Sequence, residues 1–202
     1  HVELHVEQGP TLADTNTSVG TVEGVFGIAW LRVTINGEAD HAGPTPMHTR
    51  ADAMAAAADA ASAINQLPTR LSSDAVTTVG EFDIEPNSIN VVPDTAEFTV
   101  DARSYDEDVI DRAVTRVREE VAAACHRHGT DYNIEQVWRI PPTDFDPDIC
   151  DVLELASEAA DVTFRRIVSG AGHDAKYIND IASTSMVFVP SEGGKTHNEN
   201  EF

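Results

Sequence analysis

The stretch Ala96-Glu-Phe-Thr-Val-Asp-Ala-Arg-Ser-Tyr-Asp-Glu107 joins a strand pattern directly to the start of a helix, and it decides the fold of this 202-residue chain. Apolar and polar residues alternate from Ala96 to Ala102, which is typical of a strand with one buried face. The next four residues, Ser104 to Glu107, have the spacing of a capping box and predict that a long helix begins there. The buried stripe of this helix is expected to contain Ile110, Val114, Val117, Val121 and Cys125, with Gly129 at its end.

The segments on either side complete a pattern of strands and helices. It predicts strands at Ile28–Asn36, Val76–Ile84 and Tyr132–Trp138, and a helix over residues 50–66 with Met54, Ala58, Ala61 and Ile64 at helical spacing. From about residue 28 to residue 140 the order is therefore β-α-β-β-α-β. This is the split βαβ, ferredoxin-like arrangement, in which two helices cover one face of a four-stranded antiparallel sheet.

The rest of the chain has the pattern of parts of an α/β sheet. Residues 1–22 supply the strand Val2–Val6 and a turn; residues 142–202 supply a helix near 148–160, the strand Thr163–Val168, a short helix near 173–179 and the strand Thr184–Val189. The predicted class is α+β. Residues 23–141 form a domain inserted into an incomplete α/β domain made of residues 1–22 and 142–202.

The composition excludes several classes of protein and partner. There are 35 acidic residues against 13 basic ones, a formal charge of −22, so nucleic acid and anionic membranes are not expected partners. No stretch approaches the roughly 20 apolar residues that a membrane helix needs. Two cysteines are too few for a disulfide framework, which favours a reducing, cytoplasmic location.

The kinds of charged residue suggest a salty solvent. The basic residues are 11 Arg and 2 Lys, and the 19 Asp outnumber the 16 Glu. Such a surface resembles proteins from organisms with molar salt in the cytoplasm, where charge repulsion is screened. An ordinary acidic cytosolic enzyme is the alternative.

Three histidines lie in segments that could present them to a ligand. On the strand at the start of the chain, alternation places His5 on the same face as two glutamates. This grouping could be part of a divalent metal site, or it could simply be the solvent-facing side of a strand at the sheet edge. His41 lies in a Gly- and Pro-rich loop that suits either a donor to a developing oxyanion or a turn-stabilising side chain. His197 follows the last strand in a second presented loop.

Two further features could bind an anionic or carbonyl oxygen. Arg103 stands at a strand end, where its guanidinium could bind a carboxylate in bidentate fashion or form a salt bridge to Asp101. The Gly-rich loop from Ser169 to Asp174 follows a strand and opens a short helix, so its backbone amides could bind an oxygen, although as a motif it is weak.

Five ordered segments together resemble one family: ELHVEQGP at 3–10, NGEADHAGPTPMHTRADA at 36–53, NVVPDTAEFTVDARS at 90–104, SGAGHDA at 169–175 and GGKTHNENE at 193–201. They are similar to the dinuclear-metal amidohydrolases, which comprise N-carbamoyl-L-amino acid hydrolases, allantoate amidohydrolases and β-ureidopropionases. The resemblance implies a metallopeptidase-like catalytic domain carrying a ferredoxin-like lid that also forms a homodimer.

The resemblance also implies roles for individual residues. His5 and His197 would be metal ligands. His41 would stabilise the tetrahedral intermediate, reaching it across the dimer. The substrate would be bound by Gln8, Asn90, Arg103 and the backbone of Gly170 and Gly172, with His173 beside it in an unassigned role.

The implied reaction is metal-assisted hydrolysis of a carbamoyl or amide C–N bond in a small anionic ureido or carbamoyl amino acid. Two divalent ions, zinc or manganese, would activate water and polarise the carbonyl, and a Glu would act as base. The family segment with a His, a bridging Asp and two adjacent Glu is not among these residues, and Glu7 is not expected to replace the base. The chain is therefore expected to be a C-terminal fragment that binds metal weakly and is inactive alone.

The sequence is also compatible with two other functions. The chain could act as a non-catalytic dimerisation module in which the α/β pieces are vestigial. It could also belong to a related aminoacylase or metallo-aminopeptidase with the same two-domain plan; only the resemblance of HVEQG and GPTPM favours the carbamoyl and ureido branch.

Overall fold

The computed structural model describes residues 1–191 and residue 199. The chain divides into two compact units, one made of His1–Phe26 with Pro142–Phe202 and one of Gly27–Pro141. The strands are β1 Val2–Val6, β2 Val19–Val25, β3 Gly27–Asn36, β4 Asp40–His41, β5 Val76–Glu85, β6 Val91–Val92, β7 Thr95–Ser104, β8 Asp131–Ile140, β9 Thr143–Asp144, β10 Phe164–Ser169 and β11 Ser185–Val189. The helices are α1 Thr11–Asp14, α2 Ala53–Ile64, α3 Pro68–Leu71, α4 Glu107–His128, α5 Pro147–Ala159 and α6 Ala175–Ile178, with a 3₁₀ turn at Met47–Thr49.

The unit Gly27–Pro141 has the expected ferredoxin-like architecture. Its sheet runs β5-β7-β3-β8 with every neighbouring pair antiparallel, and α2 and α4 pack on one face. The inward-pointing residues of β3 and β7 form the floor of the core, because side chains alternate between the two faces of a strand. The largest of these buried side chains are Leu31, Val33, Ile35, Phe98 and Val100.

Helix α2 buries a different face from the one predicted. The expected stripe began at Met54, but that side chain is 42% exposed. The buried face consists of Ala53, Ala56, Ala57, Ala60 and Ile64. In a run of alanines nearly every helical face is equally apolar, so sequence periodicity does not single out the one that packs.

Helix α4 begins two residues later than its predicted cap. Its N-cap is Asp106, whose carboxylate accepts from the backbone amide of Asp108. Ser104 still belongs to β7, and its hydroxyl donates to Asp74 at 2.8 Å. The predicted end is confirmed, since Gly129 adopts the left-handed conformation with φ of 66°.

The other unit holds a mixed sheet of order β1-β11-β2-β10, with β9 paired to β2. β1 is parallel to β11 and β10 is parallel to β2, while β11 and β2 are antiparallel. Strand β2 was not predicted, because its two glycines break the apolar pattern. One of them is required by packing: a Cβ on Gly20 would lie 2.9 Å from Ile167 Cγ2.

Two properties bear on the expectations drawn from composition. Both cysteines, Cys125 and Cys150, are free and buried. Among the described residues no helix is both long enough and apolar enough to cross a membrane.

Candidate functional site

His5 lies on β1, and one of its ring nitrogens contacts the backbone of the next residue. Its Nδ1 is 2.9 Å from the carbonyl oxygen of Val6. A carbonyl only accepts hydrogen bonds, so Nδ1 carries a proton, and in the neutral ring Nε2 then has the lone pair. This is the tautomer that a histidine needs in order to bind a metal through Nε2.

A second histidine packs against this ring. The rings of His5 and His173 are 4.8 Å apart and edge-to-face, at 68°. His173 is buried, and its Nε2 lies 2.8 Å from the hydroxyl oxygen of Ser169. Burial lowers the pKa of His173 to about 4; the neighbouring His5 adds to this effect and Asp174 opposes it. The ring of His173 is therefore neutral at physiological pH, and it links the Gly-rich loop to β1.

The two glycines of this loop differ in how closely other atoms approach them. Ser169 ends β10, and its hydroxyl also accepts from the backbone amide of Ala171 at 3.2 Å. A Cβ on Gly170 would approach the ring of Phe26 at 3.9 Å, whereas a Cβ on Gly172 would meet no described atom within 4 Å. Packing within the described residues therefore does not require glycine at Gly172.

Glu7 directly follows β1, and its carboxylate caps a helix. Its two oxygens accept from the backbone amides of Thr11 at 2.8 Å and Leu12 at 2.7 Å, at the start of α1. Glu7 is buried and Gln8, which follows it, has a φ of 58°. Both carboxylate oxygens of Glu7 are therefore engaged by backbone amides at the start of α1.

In the unit Gly27–Pro141, a short ribbon brings two of the predicted site residues together. β4 pairs with β6 so that His41 lies opposite Val91, and the amide of Ala42 donates to the carbonyl of Asn90 at 2.9 Å. The amide of Gly43 donates to His41 Nδ1 at 3.1 Å. Because Nδ1 accepts, the neutral exposed ring carries its proton on Nε2 and can donate there.

Arg103 lies elsewhere in the same unit, near the far end of β7. The ribbon of His41 and Asn90 adjoins the Thr95 end of this strand. Eight residues of strand at roughly 3.4 Å each separate Thr95 from Arg103, which amounts to about 27 Å. The structure therefore brings His41 and Asn90 together, and it places Arg103 at the opposite end of the sheet.

Arg103 already has an acidic neighbour. Its Nε lies 3.0 Å from Asp101 Oδ1, and its Nη2 lies 2.6 Å from Asp101 Oδ2. This is the salt bridge that the sequence left as the alternative to a ligand contact. Asp101 and Arg103 share the sheet face opposite the helices, with both side chains partly exposed.

The structure does not assemble a metal site from the residues it describes. His197, the second predicted ligand, lies outside them. Within the described part of the chain no three His, Cys, Asp or Glu side chains are grouped closely enough to hold a metal ion. Of the two predicted ligands, His5 alone lies among the described residues.

Comparison with known proteins places these features in a family. Residues 24–129 match the family model of the peptidase dimerisation domain. The N-carbamoyl-L-amino-acid amidohydrolase of Paenarthrobacter aurescens is 35% identical over 100% of this chain and 49% of its own length. The allantoate amidohydrolase of Escherichia coli is 32% identical over 99% of this chain and 49% of its own length.

A solved structure agrees with the sequence comparison. A hydantoinase/carbamoylase family amidase from Burkholderia multivorans superposes with a TM-score of 0.92 and 39% identity, over 99% of this chain and 49% of that protein. The chain thus spans about half the length of the relatives it matches. It contains the peptidase dimerisation domain and belongs to the family of amidohydrolases that includes the N-carbamoyl-L-amino-acid and allantoate amidohydrolases.

Proposed function

We propose that this chain is part of a metal-dependent hydrolase of linear amide or carbamoyl C–N bonds, acting on N-carbamoyl-L-amino acids or allantoate-like substrates. With a carbamoyl substrate and water, the products are an amino acid, carbon dioxide and ammonia. The family membership supports the reaction class. The observation that carries the proposal within this chain is the orientation of His41, whose Nδ1 accepts from Gly43 and whose Nε2 is left to donate.

His41 acts on the carbonyl oxygen of the substrate. As that oxygen gains negative charge, a donor held in place stabilises it without reorganising in the reaction. The ribbon of β4 and β6 places Asn90 beside His41, so its amide can bind the same substrate. These two residues form one half of the proposed substrate site.

Arg103 supplies the second half by binding the substrate carboxylate. Arg103 is separated from the ribbon by most of the length of β7, so a small substrate is not expected to touch both in one copy of the lid. We propose a homodimer in which His41 and Asn90 of one copy serve the substrate bound by Arg103 of the other. The match to a dimerisation domain supports this arrangement.

The proposal includes two divalent ions, zinc or manganese, which act as Lewis acids toward the substrate carbonyl. His5 has the tautomer that fits one ligand position. The described residues do not complete a site by themselves, and the proposal assigns a further ligand position to His197, which lies outside them. The chain alone is accordingly expected to bind metal weakly and to be inactive.

The proposal also includes the cellular environment of the enzyme, which is a reducing cytoplasm with a high salt concentration. Free, buried cysteines and the absence of a disulfide in the described residues suit a reducing cytoplasm. The Asp-rich, Lys-poor composition suits a cytoplasm with a high salt concentration.

The test joins this chain to the half of the Paenarthrobacter aurescens relative that it does not cover. The fusion and the chain alone are assayed with N-carbamoyl-L-amino acids and with allantoate, in about 2 M salt with zinc or manganese. We expect turnover by the fusion that a chelator abolishes, and none by the chain alone. His41→Ala should reduce kcat at least about 100-fold, while His48→Ala, a nearby exposed histidine, should not.

Two results would contradict the proposal. A folded, dimeric fusion that hydrolyses neither class of substrate would exclude the reaction. Stoichiometric tight zinc binding with turnover by the 202-residue chain alone would exclude the claim that its site is incomplete.

A further inference from the structure

Arg50 hydrogen-bonds to the backbone of the loop that carries His41. Its Nη2 donates to the carbonyl of Ala42 at 2.6 Å and to that of Thr45 at 3.0 Å, and its Nε donates to Thr45 at 3.2 Å. The side chain is half-buried, and it follows the 3₁₀ turn Met47–Thr49. One planar guanidinium therefore joins two carbonyls on either side of the pair Gly43-Pro44.

The partners of Arg50 are unusual for an arginine in this chain. There are 35 acidic residues, and most other described arginines form ion pairs, as Arg32 does with Glu97. Within residues 1–191, Arg50 forms no ion pair and binds backbone carbonyls instead. Its donors are thus used to shape the loop.

The loop segment that Arg50 holds is the one that orients His41. Gly43 lies between the two bound carbonyls, and its amide donates to His41 Nδ1 at 3.1 Å. The amide of Thr45 also donates to the carbonyl of His41 at 3.3 Å. Displacing Ala42 or Thr45 would move the amide that fixes the ring and its tautomer.

We propose that Arg50 is a positioning residue for His41: it holds the loop so that the amide of Gly43 occupies Nδ1 and Nε2–H is directed outward as a donor. The consequence for catalysis rests on the proposed function, whereas the hydrogen-bond relationship does not. A lysine would not substitute fully, because a single ammonium cannot reproduce the planar fork that binds both carbonyls.

The experiment measures the hydrogen bond itself by NMR on the ¹⁵N-labelled 202-residue chain. At alkaline pH, where an imidazole is neutral, an N–H···N hydrogen bond gives a scalar coupling between the Gly43 amide nitrogen and His41 Nδ1. We expect this coupling in the parent chain and in Arg70→Ala, an exposed arginine of α3. It should disappear in Arg50→Ala and be weakened in Arg50→Lys.

An unchanged coupling in Arg50→Ala would overturn the proposal. Should that variant fail to fold, Arg50→Lys decides: a full coupling there would show that the fork is not needed. A parent chain without the coupling would overturn the proposal as well.

Activity of the fusion separates this inference from the proposed function. Arg50→Ala should lower kcat about 10- to 100-fold with little change in KM, since the lost contact acts on the transition state. If the coupling depends on Arg50 but the parent fusion is inactive, the positioning role stands and the proposed function fails. If the coupling does not depend on Arg50, the positioning role fails whatever the activity.

Discussion

The guanidinium of Arg103 binds the carboxylate of Asp101 through Nε and Nη2, with the shortest contact at 2.6 Å. Both residues lie on the sheet face opposite the helices. A substrate carboxylate that binds there would contact an arginine whose guanidinium is already oriented by Asp101. Arg103→Ala should raise KM about 10- to 100-fold for substrates with a carboxylate, the size of a lost charge-assisted hydrogen bond. The fusion enzyme provides the measurement. Unaltered KM values would show that Arg103 is structural.

The same face provides a matched control for this arginine. Arg32 forms an ion pair with Glu97 at 2.9 Å and lies on the neighbouring strand β3. Arg32→Ala should leave KM within about threefold, because exposed ion pairs contribute little. A rise as large as that of Arg103→Ala would indicate a general charge effect of this face.

Asp101→Asn tests whether the acidic neighbour orients Arg103 or competes with the substrate. Asparagine keeps the size and one acceptor oxygen but removes the charge that holds the guanidinium. We expect KM to rise, by less than in Arg103→Ala, because the arginine becomes less well oriented. A fall in KM would show instead that Asp101 occupies the position of the substrate carboxylate.

Glu7→Gln should loosen the start of α1. The carboxylate accepts from the amides of Thr11 and Leu12, and the amide group of Gln offers only one acceptor oxygen. A lost helix cap costs about 1 kcal/mol, so exchange of these two amides with solvent should accelerate roughly fivefold or more by NMR. Glu3→Gln, on β1, is the control. Equal protection in both variants would argue against the capping role.

Asp74 makes the unit Gly27–Pro141 sensitive to acid. The hydroxyl of Ser72 is the main cause of its lowered pKa; burial opposes the shift, and the hydroxyl of Ser104 and the amide of Tyr105 add to it. Because the folded-state pKa lies below the unfolded one, this stabilisation is complete above the unfolded pKa. It is lost as the pH falls through the ordinary carboxyl range toward the folded pKa.

Asp74→Asn is therefore expected to lower the free energy of unfolding by about 1–3 kcal/mol at pH 7. The difference from the parent chain should shrink as the pH falls below about 4, where the unfolded parent chain protonates this carboxyl before the folded chain does. Urea unfolding at several pH values measures both effects. Asp83→Asn, an exposed aspartate of β5, should change neither, and a pH-independent difference for Asp74→Asn would contradict the linkage.

Salt should stabilise this chain. Ion pairs such as Arg166 with Glu154, at 2.8 Å, will weaken when salt is added, but these pairs are at least partly exposed and each contributes little. The formal charge of −22 produces repulsion over the whole chain, which salt screens. We expect a gain of about 1 kcal/mol or more between 0.1 and 2 M KCl, or roughly 3 °C in Tm. A constant or falling Tm would contradict a salt-adapted surface.

Local patterns were sufficient to predict most of the elements. β7 and α4 were predicted correctly because apolar side chains recur along them with periods of two and 3.6 residues. Burying those side chains stabilises the fold, so the pattern identifies the buried face. The same signal fails for α2, where alanines make several faces equivalent, and for β2, where glycines replace the apolar side chains. The cap of α4 was misplaced because both Ser104 and Asp106 can cap a helix, and continued pairing of Ser104 in β7 decides between them.

The residues of the candidate site could be identified from residue type and motif. The atoms that each of them contacts could not be predicted in this way. His41, Asn90 and Arg103 were all identified, but their separation along β7 depends on strand register. The role of Arg50 was not predicted, and the ion pair of Arg103 with Asp101 was one of two alternatives, because an arginine has the same sequence signal whether it binds a ligand, a backbone carbonyl or a neighbouring carboxylate.

The sequence by itself determined the ferredoxin-like order of elements, the acidic surface and the family, since each depends on local period, composition or motif. Only the tertiary structure decided the chemical state of the site: the proton on Nε2 of His41, the lone pair on Nε2 of His5, and Glu7 as a helix cap. A tautomer or a carboxylate's role is set by the atom that lies within hydrogen-bond distance. These partners are near neighbours in the chain, and the backbone conformation that each segment adopts in the fold decides whether they come within reach.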